Sequence, residues 1–149
     1  THPALLQDWC ARFDYMPVGF TATDAAGQAI YHTNVMMCVG TTFALICEDA
    51  VAAADRARVR ASLEACGHEV LTISRASMAG FAGNMLELRT AAGEAVIALS
   101  SQAFAALAGD VRSALARHGQ LVHAPIDHLE QQSGGSVRCM LAEIHLPRA

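Results

Sequence analysis

The chain reads as an α/β protein built from a repeated strand, strand, helix, strand unit, and three observations predict this. Short apolar runs flank a longer stretch of helical spacing, a glycine closes each helical stretch, and the same order returns after about fifty residues. At 149 residues and 53% hydrophobic, the chain is long enough to bury a core and too apolar to be disordered.

The elements follow in order. Residues 4–13 predict a helix and 17–21 a strand, the closing half of a unit whose opening is absent. Residues 33–39 and 42–47 predict two strands joined at Gly40-Thr41. Helical spacing of Val51, Ala54, Val59 and Leu63 then predicts a helix over 50–66, stopped by Gly67, and a strand over 69–73. The second pass gives strands over 84–88 and 95–99, a helix over 102–117, a stop at Gly119 and a strand over 121–124. Residues 136–146 predict the opening strands of a further unit. One domain, 1–149, therefore holds units over 1–21 (partial), 30–73, 81–125 and 134–149 (partial). Such a unit cannot cover its own edges, so the chain reads as an arc of a closed ring that something completes.

Charge and composition exclude several functions. Net charge is −4, every one of the ten basic residues is arginine, and no basic run forms a phosphate-tracking stripe, which argues against nucleic acid. No stretch approaches the ~20 apolar residues that cross a bilayer, and the N-terminus lacks the pattern of a signal peptide, so no membrane partner and a cytoplasmic location are expected. The five cysteines are odd in number and contain no CxxC pair, so they read as free thiols, with Cys10, Cys38, Cys47 and Cys66 buried. His68, His118 and His123 read as capping or surface residues, and the spacing of His123 and His128 fits no helical metal pair; no metal and no cofactor are assigned.

The chemistry concentrates in two segments. Cys139 follows Gly134-Gly135 and sits beside Arg138: a glycine pair lets backbone approach a ligand closely, and a neighbouring cation favours a thiolate. A nucleophilic cysteine needs a base near in space, and His32 is the natural partner. The repeat puts Asn34, Asn84 and Cys139 at similar positions on the first strand of successive units, with His32 on the same face as Asn34.

Three segments, IYHTNVMMCVG (30–40), FAGNMLEL (81–88) and GGSVRCMLAEIHLP (134–147), closely resemble the arginine deiminase-related, amidinotransferase-like proteins of the guanidino-group-modifying superfamily, in particular their citrulline-utilisation hydrolase branch. The resemblance spans nearly the whole chain, as the C-terminal half of such a protein. It implies part of a pentein α/β propeller, five strand, strand, helix, strand units around a pseudo-fivefold axis. It implies Cys139 as the nucleophile on a guanidino or ureido carbon and His32 as the acid and base, with Asn84, Gly134, Gly135 and Arg138 shaping the substrate site. The substrate is then a small arginine-related amino acid.

That family holds the substrate's cationic group with carboxylates from its N-terminal half, which this sequence does not contain. Asp127 and Glu143 read as structural groups and offer no substitute. A homodimer, or a complex with the other half, is therefore expected. Leu141-Ala142 stand where arginine deiminases tend to place a hydroxyl residue, which favours the citrulline branch. The competing reading is a non-catalytic fragment or binding module that keeps the fold without the carboxylates.

Overall fold

Phe43, Ala44, Leu45 and Ile46 are all buried, a run with no polar face, and such runs belong in the middle of a sheet covered on both sides. The computed structural model, which describes residues 2–142, puts them there. Strand β1 (Met37–Val39) runs antiparallel to β2 (Phe43–Ile46), and β3 (Glu69–Thr72) lies parallel on the other side of β2. A parallel return needs a crossover, supplied by the helix Ala53–Ala65. The second unit repeats the design: β4 (Leu86–Arg89) antiparallel to β5 (Ala95–Ser100), then β6 (Gln120–Ala124) parallel to β5. Each sheet has its second strand in the centre.

The helices, in chain order, are α1 (Pro3–Arg12), α2 (Ala53–Ala65), α3 (Arg75–Ala79), α4 (Ser101–Ala106), α5 (Gly109–Leu115), α6 (Asp127–Ser133) and α7 (Val137–Met140). Helix α1 begins with Pro3, whose missing N–H costs nothing at a helix start.

Four expectations need correction. Residues 17–21 form no strand. That arm is instead tied to the start of α2: the Ala52 N–H donates to Thr21 O (2.9 Å), Thr21 N–H to Asp55 Oδ2 (3.3 Å), and Arg58 to Gly19 O (2.7 Å). The helix expected over 102–117 breaks in two. Leu107 turns to ψ 135° and drops into the core at 2% exposure, and the chain restarts at Gly109, a poor helix former. Residues 33–35 form a single 3-10 turn, so the first strand starts only at Met37. Cys66 is exposed, because it caps α2 beyond the last turn that faces the core. Two short helices, α3 and α6, carry no periodicity long enough to read; α3 is opened by Ser74 Oγ, which accepts from Ser77 N–H at 3.0 Å.

The units share one core, in which Met36, Phe43 and Leu45 of the first join Met85, Ile97 and Leu99 of the second. Polar links pin their relative position. Glu87 on β4 accepts from the Thr41 N–H (2.7 Å) and hydroxyl (2.8 Å) at the β1–β2 turn. His118, ahead of β6, meets Thr42 Oγ1 (2.8 Å) and Glu69 Oε2 (2.9 Å). His68 caps α2 at Leu63 O and reaches Gly40 O, and His123 meets Ser101 Oγ. These histidines hold loops together, and His118, expected to cap or to lie at the surface, instead links the two units.

Candidate active site

The site forms where the turn before β1 meets the turn before β4. Backbone makes the contact. A Cβ on Gly83 would lie 2.8 Å from Met36 C and Val35 O, so only glycine lets the second turn rest on the first. That approach delivers Asn84, 3% exposed, to Asn34, whose carbonyl accepts from Asn84 Nδ2 at 3.1 Å. Phe81, at φ +63°, bends the chain into this turn, and Asn84 N–H closes it on Phe81 O (2.8 Å).

A third turn supplies the thiol. Helix α6 ends at Gly134, whose φ of +69° suits glycine, and the chain re-enters a helical turn at α7. Ser136, buried, donates its hydroxyl to Glu130 Oε1 at 2.6 Å and so ties the start of α7 to α6. A Cβ on Gly135 would stand 3.1 Å from Cys139 Sγ. Gly135 thus leaves room for the sulfur from behind and does not line the cavity, contrary to its expected place against a ligand. Cys139 is exposed.

Asn84 joins all three turns. Its Oδ1 accepts from Arg138 N–H (3.0 Å), which fixes the amide orientation, so Nδ2 is the atom that donates to Cys139 Sγ (3.2 Å). An amide donor aimed at sulfur is a favourable partner for a thiolate. The Arg138 guanidinium donates to Leu141 O (2.9 Å). Its backbone N–H is thus the part of Arg138 that organises Asn84.

His32 caps the 3-10 turn, with Nδ1 accepting from Asn34 N–H at 3.1 Å. A neutral ring in that arrangement carries its proton on Nε2. His32, Asn34, Asn84, Gly134, Arg138 and Cys139 all line one cavity of about 880 Å³, a size usual for small-molecule sites. The expectation that Asn34, Asn84 and Cys139 share a strand face is corrected. Asn34 and Asn84 lie in the turns that precede β1 and β4, and Cys139 lies in helical α7, where 136–146 was expected to begin as strand. Glu143 lies outside the described residues, and Asp127 is exposed at the first turn of α6.

Two charged residues of this cavity were not singled out from the sequence: Asp24 and Arg75. The Asp24-Ala25-Ala26-Gly27 run spells a turn, but nothing in one sequence places that turn at the cavity. Among the described residues, no three His, Cys, Asp or Glu side chains gather as a metal site would require, and no helix is long and apolar enough to cross a membrane.

The fold is shared with solved arginine dihydrolase structures. Apo ArgZ, an arginine dihydrolase from the ornithine-ammonia cycle in cyanobacteria, matches with a TM-score of 0.71 at 13% identity, over 94% of this chain and 20% of that one. The product-bound N-terminal domain of ArgZ matches with a TM-score of 0.70 at 14% identity, over 94% of this chain and 46% of that one. AgrE in its ternary complex with ornithine and NAD+ matches with a TM-score of 0.60 at 15% identity, over 80% of this chain and 16% of that one. The chain thus spans less than half the length of each of these proteins. No curated protein sequence matches significantly. A fold of repeated β-β-α-β units in common with the N-terminal domain of ArgZ defines the class. Within it, the family profile described as N,N dimethylarginine dimethylhydrolase, eukaryotic, matches residues 1–146, and the chain belongs to that family.

Proposed function

We propose that this chain is the catalytic-cysteine half of a hydrolase that acts on the guanidino or ureido group of an arginine-related amino acid. The observation that carries the reading is Asn84, whose one side chain ties the thiol turn to the turn that presents His32 on a common cavity. The family match supports the reaction class. The substrate we favour is citrulline, on the grounds of Leu141-Ala142 after the nucleophile.

The chemistry follows from the groups present. The guanidino or ureido carbon is deactivated by resonance, so attack needs a thiolate and departure of nitrogen needs a proton. The thiol proton passes to His32, which makes the thiolate and an imidazolium. Cys139 Sγ bonds to that carbon while Asn84 Nδ2–H faces the sulfur. The imidazolium then gives a proton to the leaving nitrogen and returns to neutral, the carbon–nitrogen bond breaks, and a thiol-linked intermediate remains. The ring then takes a proton from water, whose oxygen attacks the same carbon, and the carbon–sulfur bond breaks to restore the thiolate. In the resting neutral ring the Nδ1 bond to Asn34 N–H holds the imidazole plane, and that bond is given up when the ring becomes an imidazolium.

A five-unit ring needs more chain than two units and their flanks supply. The rest, with carboxylates for the substrate's cationic group, comes from a separate N-terminal half of the same protein, a partner chain or a second copy. Light scattering should therefore find a dimer or a complex; a stable monomer would remove that part of the proposal.

The test compares Cys139 with an internal standard. Cys66 is exposed and does not line the cavity, whereas burial pushes the Cys47 thiol above its ordinary value. A haloacetamidine at neutral pH should modify Cys139 at least tenfold faster than Cys66, and His32→Ala should remove that advantage. Mapping by mass spectrometry decides it: equal rates at the two cysteines would sink the nucleophile assignment. Turnover of L-citrulline, L-arginine and dimethylarginine, read as released ammonia or amine, then ranks the substrates.

A further inference from the structure

We propose that residues 18–20 are an open strand edge that takes up, in parallel, an apolar strand from the half of the domain that this chain does not span, and that this strand fills a second cavity lined by His32. The inference rests on the function proposed above and names where the other half docks.

The arm is bound on one side only. Toward the start of α2, Gly19 O accepts from Arg58 (2.7 Å), and Thr21 N–H donates to Asp55 Oδ2 (3.3 Å). Thr21 O accepts from the Ala52 N–H (2.9 Å), and Ala22 forms an antiparallel bridge with Val51. Val18 and Phe20 have neither N–H nor carbonyl bonded among the described residues. In an extended chain successive residues turn their N–H and C=O groups to opposite sides, so the bonded residues 19 and 21 share one side and the unbonded 18 and 20 the other. Their side chains alternate as well: Val18, Phe20 and Ala22 pack on the core, and Gly19 and Thr21 are exposed. Such a pattern is that of a strand without a neighbour.

The two complete units say which neighbour fits. In each, the strand after the helix lies parallel to a central strand, β3 beside β2 and β6 beside β5. Residues 18–20 follow α1 as β3 follows α2, and no central strand lies beside them among the described residues. The occupant is thus a strand apolar on both faces, like 43–46, running parallel to the arm. The described residues of a second copy offer no such strand, because β2 and β5 are already paired on both edges. This chain spans 46% of the N-terminal domain of ArgZ, so a domain of that fold has about as much chain again from which to supply it.

Room for its side chains exists. Residues 18–22 of the arm, with Pro3 and Leu6 of α1, bound a second cavity of about 690 Å³. Tyr31 and His32 line both this cavity and the one that Cys139 lines. Among the described residues the imidazole is held by one hydrogen bond, to Asn34 N–H, and filling the second cavity adds packing against it. Docking of the other half thereby steadies the acid and base of the proposed reaction.

The experiment reads hydrogen exchange amide by amide in the protein's native assembly, with the composition of that assembly taken from intact mass. The Val18 and Phe20 amides should exchange about a hundredfold more slowly than that of Met16, which is exposed and equally without a partner in this chain. Val18→Pro keeps apolar bulk and removes a donor that bonds nothing among the described residues. It should speed exchange at Phe20 at least tenfold and slow alkylation of Cys139 by a haloacetamidine at least tenfold, toward the rate of Cys66. Val18→Ala keeps the N–H and should leave both rates within about threefold of wild type. Exchange at Val18 and Phe20 as fast as at Met16 overturns the strand edge, whatever Cys139 does. Protection in an assembly that holds only copies of this chain overturns the choice of partner. If Val18→Ala frees Phe20 as fully as Val18→Pro does, side-chain packing holds the partner and strand pairing is wrong. If Val18→Pro frees Phe20 while Cys139 stays fast, the docked strand stands and its effect on His32 is wrong. If wild-type Cys139 labels no faster than Cys66, the proposed function fails and the effect on His32 with it, while protected amides at 18 and 20 still support the docked strand.

Discussion

The two β-β-α-β units are alike in strand order and pairing and unlike in the turn that leads into each. Ahead of β1 the turn is a short 3-10 segment capped by His32, and it offers backbone: the Asn34 carbonyl to its neighbour and the Asn34 N–H to the imidazole. Ahead of β4 the turn offers a side chain, Asn84, buried and fully engaged. The repeated part builds the scaffold and the unrepeated part builds the site. Repetition brings equivalent positions together, and differences at those positions decide what chemistry is possible there.

The strongest way to break the comparison is to separate the turns. Gly83→Val places a branched side chain into Val35 and Met36 backbone that cannot move aside as a flexible side chain would. Overpacking of this kind costs about 1–3 kcal/mol, and the displaced Asn84 no longer reaches the sulfur. Turnover should fall by about a hundredfold or more, since misplaced reacting groups lose roughly that much for an ångström. A melt with a modest drop beside near-complete loss of activity would bear this out; retained activity would show that contact between the turns is dispensable.

Asn84→Asp is subtler in shape and nearly as severe. It turns the atom that donates to Asn34 O and Cys139 Sγ into an acceptor facing acceptors, in a buried place. Losing one such donor costs about 1–3 kcal/mol, more with a charge. Alkylation of Cys139 should slow toward the rate of Cys66, whereas Asn84→Gln, which keeps the donor at a longer reach, should retain part of the advantage.

Much of this was legible in advance, for identifiable reasons. Strands β1 to β6 showed through because runs such as 43–46 are too apolar to stand anywhere but mid-sheet. The meeting of His32, Asn84 and Cys139 on one cavity followed from their motifs, although the geometry expected for it was wrong. Strand periodicity cannot report a turn, and all three residues sit in turns or in helical α7. The break at Leu107 was hidden because alanine and glycine around it fit a helix pattern or its end equally well. Asp24 was invisible as a cavity residue because its local signal, a turn, is satisfied wherever that turn lies in space.

A third change sharpens the difference between the thiol turn and the other two. Glu130, 4% exposed, receives the Ser136 hydroxyl, while its Oε2 is buried with no partner among the described residues. Among the described residues, no buried carboxylate anchors either of the other turns. Glu130→Ala leaves the Ser136 hydroxyl without its acceptor and should cost about 1–3 kcal/mol in chemical denaturation. Glu130→Gln keeps an oxygen within reach of that hydroxyl and should recover most of the Cys139 labelling rate. If Ala and Gln label equally fast, the anchor does not position the thiol.

The smallest effect concerns the arm before the first unit, where a strand was expected and a clamp was found. The Arg58 guanidinium (2.6 Å) and, behind it, the Thr21 N–H hold the Asp55 carboxyl below its ordinary value. A carboxylate lowered on folding stabilises the native state above its unfolded value, and that contribution is lost as pH falls through the lowered value. Wild type should therefore melt slightly above Asp55→Asn at neutral pH, and the gap should close as the buffer is taken below pH of about 4, the ordinary carboxylate range. The group is solvent-accessible and the pair is screened by salt, so the gap should also shrink at high ionic strength. A gap that persists at low pH would mean that Asp55 holds the arm through hydrogen-bond geometry that asparagine cannot copy, with charge playing no part.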